Sequence, residues 1–157
     1  MQLTYKLKGG FQAQNFSTFI GAIGSSTGTN AVVKPWLNAW EEWELINAAN
    51  QSSTAKIHFL DEMGIKNVNW NVYMATNSNL DKVVVQPLLQ LDERWQLVLS
   101  TDTTSTVEVT SRVEFYIKNV EKGEYCEVKA GGNQNELNLI SDITKATKFM
   151  FILESVV

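Results

Sequence analysis

A single histidine, His58, and a single cysteine, Cys126, limit the reactions this sequence can support. One histidine rules out any metal site or catalytic triad that needs two, and one cysteine rules out an internal disulfide. His58 stands in Lys-Ile-His-Phe-Leu, between apolar neighbours on an apparent strand, where a structural or surface role is expected. Cys126 follows Tyr125 at the start of a strand and reads as a small buried apolar residue. Asp61 and Glu62 offer an acid and a base, but neighbours on a strand point to opposite faces, so they are not expected to share a substrate. Asp81, Asp92 and Glu93 lie near turns without the D-x-[DN]-x-[DN]-G spacing of a calcium loop. There is no G-x-S-x-G elbow, Walker A loop or H-E-x-x-H helix. The expectation is a protein that is not an enzyme, with no metal and no cofactor.

Binding chemistry is better supplied. The sequence has 14 asparagines, several bunched in turns: Asn67, Asn69 and Asn71 around Trp70, then Asn77 and Asn79, then Asn133, Asn135 and Asn138. A short amide offers one donor group and one acceptor, which suits the double role of a sugar hydroxyl. Indole rings cover the apolar C–H face of a pyranose with little loss of rotamer freedom. Asparagine is also a good turn residue that tolerates left-handed backbone, so each single Asn has a competing structural explanation.

The elements that must position these groups emerge from an internal repeat. VVKPWLNAWEEWELI at residues 32–46 matches VVQPLLQLDERWQLV at residues 84–98 without a gap, and a divergent third copy, LNLISDITKATKFMFIL, covers residues 137–153. Trp43, Trp95 and Phe149 are equivalent, which marks them as core. Ahead of each copy come FSTFIGAIGSS, WNVYMATNSN and YCEVKAGGNQ, and ahead of those LTYKL, KIHFL and VEFYIKNV. All are strand-like runs separated by Gly- and Asn-rich turns. NAWEEWELINAAN alone would favour a helix, with Trp36, Trp40 and Trp43 on one face. Its partner runs into a Thr- and Val-rich stretch, so all three copies are assigned to strand, with a helical turn just ahead of Trp43 and Trp95.

The repeat also sorts the tryptophans. Trp40 aligns with Asp92 and Ala146, and Trp70 falls near Thr18 and Glu124. Positions that are polar in sister repeats face water, so an indole there calls for another explanation. Trp70 with Asn69 and Asn71, and Trp40 with Asn38 and the equivalent Asp92, form the candidate ligand site; a subunit interface is the alternative for Trp40. Trp36, aligned with Leu88, is expected to pack.

Three repeats of about 52 residues with about twelve short strands resemble the β-trefoil, an all-β barrel of six strands closed at one end by three hairpins. The resemblance covers residues 1–157 as one domain, with repeats near 1–52, 53–105 and 106–157. Glu-Glu-Trp, Glu-Arg-Trp and Thr-Lys-Phe stand where ricin-B-type members carry Gln-x-Trp, so the chain departs from that subgroup. The resemblance, together with the Asn and Trp side chains, points to a lectin recognising glycans or glycoproteins, with a homodimer as one route to avidity. A protease inhibitor acting through an exposed loop, or a protein-binding accessory or toxin component, is the alternative. Thirteen basic against 17 acidic residues give a net charge of -4, with no basic block for nucleic acid. No run is long and apolar enough for membrane insertion, and the first residues lack a secretory h-region, so the expected location is cytoplasmic or released without a signal peptide.

Overall fold

The computed structural model describes residues 1–14, 17–77, 80–129 and 137–153. Asn79, Asn133 and Asn135, and the whole of the AGGNQNE turn, lie outside them. Each repeat contributes four strands and one 3₁₀ turn, in the same order. The first has β1 (Lys8–Ala13), β2 (Thr18–Ala22), β3 (Ala31–Lys34), the turn η1 (Ala39–Glu41) and β4 (Trp43–Asn47). The second has β5 (Met63–Asn67), β6 (Val72–Asn77), β7 (Leu80–Gln86), η2 (Leu91–Glu93) and β8 (Trp95–Leu99). The third has β9 (Phe115–Asn119), β10 (Tyr125–Glu127), β11 (Asn138–Ile140), η3 (Ile143–Lys145) and β12 (Phe149–Leu153).

The first and last strands of the repeats close a six-stranded antiparallel ring, β1–β4–β5–β8–β9–β12 and back to β1. Pairing between repeats is long, as in Gly9 to Ala13 against Leu153 to Phe149. Pairing within a repeat is short, as in Met63 against Trp95. The strands β2–β3, β6–β7 and β10–β11 form the three hairpins, which meet through Asn30 with Val84 and Asn138 with Lys82. This is the β-trefoil, and the helical alternative for residues 38–50 shrinks to η1.

Threefold equivalence extends to the core. Trp43, Trp95 and Phe149 are fully buried, with Phe11, Ile65 and Ile117, and Leu45, Leu97 and Phe151, in the barrel. An indole N–H sealed in a core must find an acceptor. Trp43 donates to the Ile20 carbonyl at 2.8 Å and Trp95 to the equivalent Met74 carbonyl at 2.9 Å. Cys126 is also sealed in this core, and burial pushes its thiol pKa well above the usual range, so it is inert.

Two strand expectations are corrected. LTYKL and KIHFL form no barrel strand; the strands begin later, at Lys8 and Met63. Leu3, Ile57 and Val109 instead form a cyclic plug at the barrel base: Leu3 N–H donates to Val109, Ile57 to Leu3, and Val109 to Ile57, at 2.8, 3.0 and 2.8 Å. Gly10 and Gly64 both lie within strands. The leucine after each shared proline occupies their Cβ space: Leu37 Cδ1 would stand 2.5 Å from a Cβ at Gly10, and Leu89 Cδ1 2.8 Å from one at Gly64.

Candidate functional site

The corner between the first and second repeats is built from η1, the β5–β6 turn and the end of β2. Pro35 follows β3 and cannot donate to a ladder, so the chain leaves the sheet there and turns through η1 before Trp43 returns to the barrel. The side chain of Glu41 reaches back to accept from the Asn38 N–H at 3.1 Å, holding the turn closed. Asn67, fully buried, ties this turn to the next repeat: its Nδ2 donates to the Trp40 carbonyl at 2.9 Å. Its Oδ1 accepts from the Trp70 N–H, also at 2.9 Å. The Trp70 indole N–H donates to the Ala22 carbonyl at 2.9 Å, and its ring meets that of Trp40 with centroids 5.7 Å apart at 51°.

Beside this pair opens a cleft of about 280 Å³ lined by Lys34, Trp36, Asn38, Ala39, Trp40 and Glu41. Trp36 and Trp40 are 46% and 44% exposed, whereas Lys34 and Glu41 are only 6% and 1% exposed. Burial raises the Glu41 carboxyl pKa, against the opposing effects of the Asn38 hydrogen bond and the Lys34 charge. The cleft therefore has two accessible indole walls, an exposed amide on its rim and buried charge beneath. It can stack a flat apolar face and meet polar groups, but it carries no nucleophile with a matched base.

The corner gathers five of the six expected site residues. Trp70 does not offer a free stacking face with an open donor: it is half-buried, packs on the core and spends its N–H on Ala22. Its topological equivalent in the third repeat is Lys122, because Asn71 and Gly123 occupy the same turn position. The sequence register that placed it near Thr18 and Glu124 was two residues off. Asn69 is exposed, and Asn71 is exposed with φ of +58°, the left-handed conformation this turn demands. Asn71 N–H donates to the Asn67 carbonyl at 2.9 Å, so residues 67–71 form a tight closed turn rather than an extended loop. Asn38 is exposed on the cleft rim. Asp92 belongs to η2, at the equivalent corner between the second and third repeats, where Asn119 Nδ2 donates to the Arg94 carbonyl; it is not part of the Trp40 cluster.

Sequence reasoning missed three lining residues. Trp36 was expected to pack, yet it stands half-exposed like its equivalent Leu88. Lys34 and Glu41 were not singled out, although Lys34 aligns with Gln86 and Ile140, the one cation at that position among the three repeats.

A second cleft, of about 490 Å³, is lined by Tyr5, Asn47, Leu60, Asp61, Glu62 and Arg94, with Ala48 and Ala49. It corrects the expectation that Asp61 and Glu62 face apart on a strand. Leu60, with φ of +70°, turns the chain just before them, and both line one cleft. Their charges are already engaged: Asp61 Oδ2 accepts from Tyr5 Oη at 3.2 Å and from the His58 N–H at 2.9 Å, and Glu62 pairs with Arg94 at 3.6 Å. Burial, then the Asp61 charge and hydrogen bond, raise the Tyr5 pKa far above its ordinary value, so its hydroxyl stays protonated. Among the described residues no group of three His, Cys, Asp or Glu side chains could hold a metal ion, and no helix is long and apolar enough to cross a membrane.

No family model matches the sequence, and no curated protein matches it. Solved structures do. An SDF2-like protein from Arabidopsis thaliana superposes with a TM-score of 0.80 at 8% identity, covering 97% of this chain and 95% of that one. ThreeFoil, a designed threefold-symmetric protein, gives 0.69 at 9% identity, covering 92% and 97%. SeviL, solved bound to asialo-GM1 saccharide, gives 0.64 at 11% identity, covering 96% and 99%. At these identities the likeness establishes the shared fold.

Proposed function

We propose that this protein is a non-catalytic carbohydrate-binding protein whose ligand site is the cleft between Trp36 and Trp40. One observation carries the reading: two half-exposed indoles wall a cleft with the exposed amide of Asn38 at its rim, at a corner where the sister repeats place Leu88 with Asp92 and Asp142 with Ala146. The barrel closes equally well with those other residues, so folding does not account for the tryptophans. A half-exposed indole keeps apolar area in water, and a sugar C–H face is a partner that covers it while leaving hydroxyls for amides. Trp70 acts from behind, fixing the Trp40 ring by their contact. That SeviL, a protein of the same fold, holds a saccharide supports glycans as the ligand class in general terms. One shallow cleft binds weakly, so useful avidity calls for a homodimer or a multivalent surface.

A glycan array with wild type and the Trp36→Ala and Trp40→Ala variants tests the reading. Wild type is expected to retain a defined set of glycans, and each variant to lose about tenfold in affinity, the equivalent of about 1.4 kcal/mol. Absence of binding above background for wild type would sink it.

A further inference from the structure

Lys34 is a cation that only the first repeat carries at its position. It ends β3, is 6% exposed, and lines the cleft beneath the two indoles. Among the described residues no hydrogen bond reaches its ammonium and no carboxylate oxygen lies within 4.0 Å of it. Glu41 is near enough to feel its charge, but that carboxylate is sealed and turned to the Asn38 N–H. The buried polar atoms without a partner among the described residues are Gln2 Nε2, Thr18 Oγ1 and Arg94 Nε; the Lys34 ammonium is not one of them, so it keeps an opening to the water of the cleft. The fold does not require the charge, because Gln86 and Ile140 serve at the equivalent positions. Only the repeat with the paired indoles carries the cation.

We propose that Lys34 makes this cleft selective for acidic saccharides, meaning glycans with a carboxylate or sulfate ester beside the ring that stacks between Trp36 and Trp40. This rests on the carbohydrate reading of the same cleft. The ammonium supplies up to three donors at the floor of the cleft, and a charge-assisted hydrogen bond to an anionic oxygen is about twice as strong as a neutral one. Neutral sugars can stack on the indoles and accept from Lys34, but they do not compensate its charge. The overall charge of -4 gives no general attraction for anions, so the selectivity is local to this cleft.

The experiment compares matched pairs of glycans that differ only in the acidic group, such as sialyllactose with its methyl ester and a sulfated lactose with lactose, on wild type and Lys34→Met. Methionine keeps the apolar stem that fills the site and removes the charge. Wild type is expected to favour the acidic member of a pair by about tenfold or more, with the preference shrinking as salt is raised. Lys34→Met is expected to bind both members alike, at the neutral-sugar affinity. A sialylated or a sulfated pair showing this pattern supports the proposal and identifies which acidic group is read. Equal affinity for acidic and neutral members in wild type, or a preference that survives in Lys34→Met, overturns it while leaving carbohydrate binding intact. Absence of binding to any glycan overturns both readings together. A thermal melt checks that the variant folds, and Lys34→Gln, which copies the second repeat, serves if Lys34→Met does not.

Discussion

Trp40 and Trp43 lie three residues apart, yet one is nearly half-exposed and the other fully sealed. Trp43 leaves η1 and enters the barrel, where its ring fills the core and its N–H meets Ile20. Trp43→Ala should therefore lower stability by about 3–5 kcal/mol in denaturant unfolding. Trp95→Phe keeps most of the volume but leaves the Met74 carbonyl without its donor, a loss of about 1–3 kcal/mol. Trp40→Ala should stay within about 1 kcal/mol of wild type in the same measurement, because its ring is held mainly by Trp70 and water. Glu41 makes a pH-dependent prediction. Its folded pKa is raised above the ordinary 4.5, so the folded state favours the protonated acid, and that stabilisation is full below 4.5 and fades as pH rises through the folded value. Glu41→Gln retains an acceptor for the Asn38 N–H without the buried charge. Thermal melts across the acidic range should show the variant gaining on wild type as pH rises, and a gap that is flat with pH would contradict the assignment.

At the level of single elements, the left-handed turn residues do for the hairpins what the tryptophans do for the core. Lys6, Leu60 and Arg112 share one turn position with positive φ, and Ser17, Asn71 and Gly123 share another. In the second set the repeats carry Ser, Asn and Gly, and the last two are ordinary solutions to a backbone that disfavours a Cβ. Asn71 was legible in the sequence as a turn residue beside a tryptophan, and that structural role is what the backbone demonstrates. Asn71→Gly should be close to neutral in stability and Asn71→Val should cost about 1–2 kcal/mol, measured by thermal or denaturant unfolding. A valine variant as stable as wild type would show that the turn relaxes to another conformation. The first strands of the first two repeats were placed too early, on LTYKL and KIHFL, while the strands observed contain Gly10 and Gly64. What keeps them in strands is the approach of Leu37 and Leu89 from elsewhere in the chain, which local propensity does not encode.

For the whole molecule, closure is the decisive event: β1 pairs along its length with β12, so the first and last strands described complete the ring. Ending the chain after Lys148 removes β12 and leaves the edge of β1 unpaired and the core open at Phe11. This truncation should abolish cooperative unfolding and near-ultraviolet dichroism. The periodic spacing of Trp43, Trp95 and Phe149 determined by itself that the chain is threefold, all-β and organised around an aromatic core. A repeat reports which residues share an environment, and burial follows from that. The sequence also determined that indoles at non-equivalent positions need a reason beyond the core. Tertiary structure alone decided which indoles meet. Trp40 and Trp70 come from different repeats and touch because β4 pairs with β5, and that pairing turned the notional stacker Trp70 into a support, while Trp36 and Lys34 reach the cleft through the path of the chain from β3 to η1. Equivalent positions are legible along a chain, whereas neighbours across a repeat boundary depend on barrel register and twist, which no spacing within one repeat records.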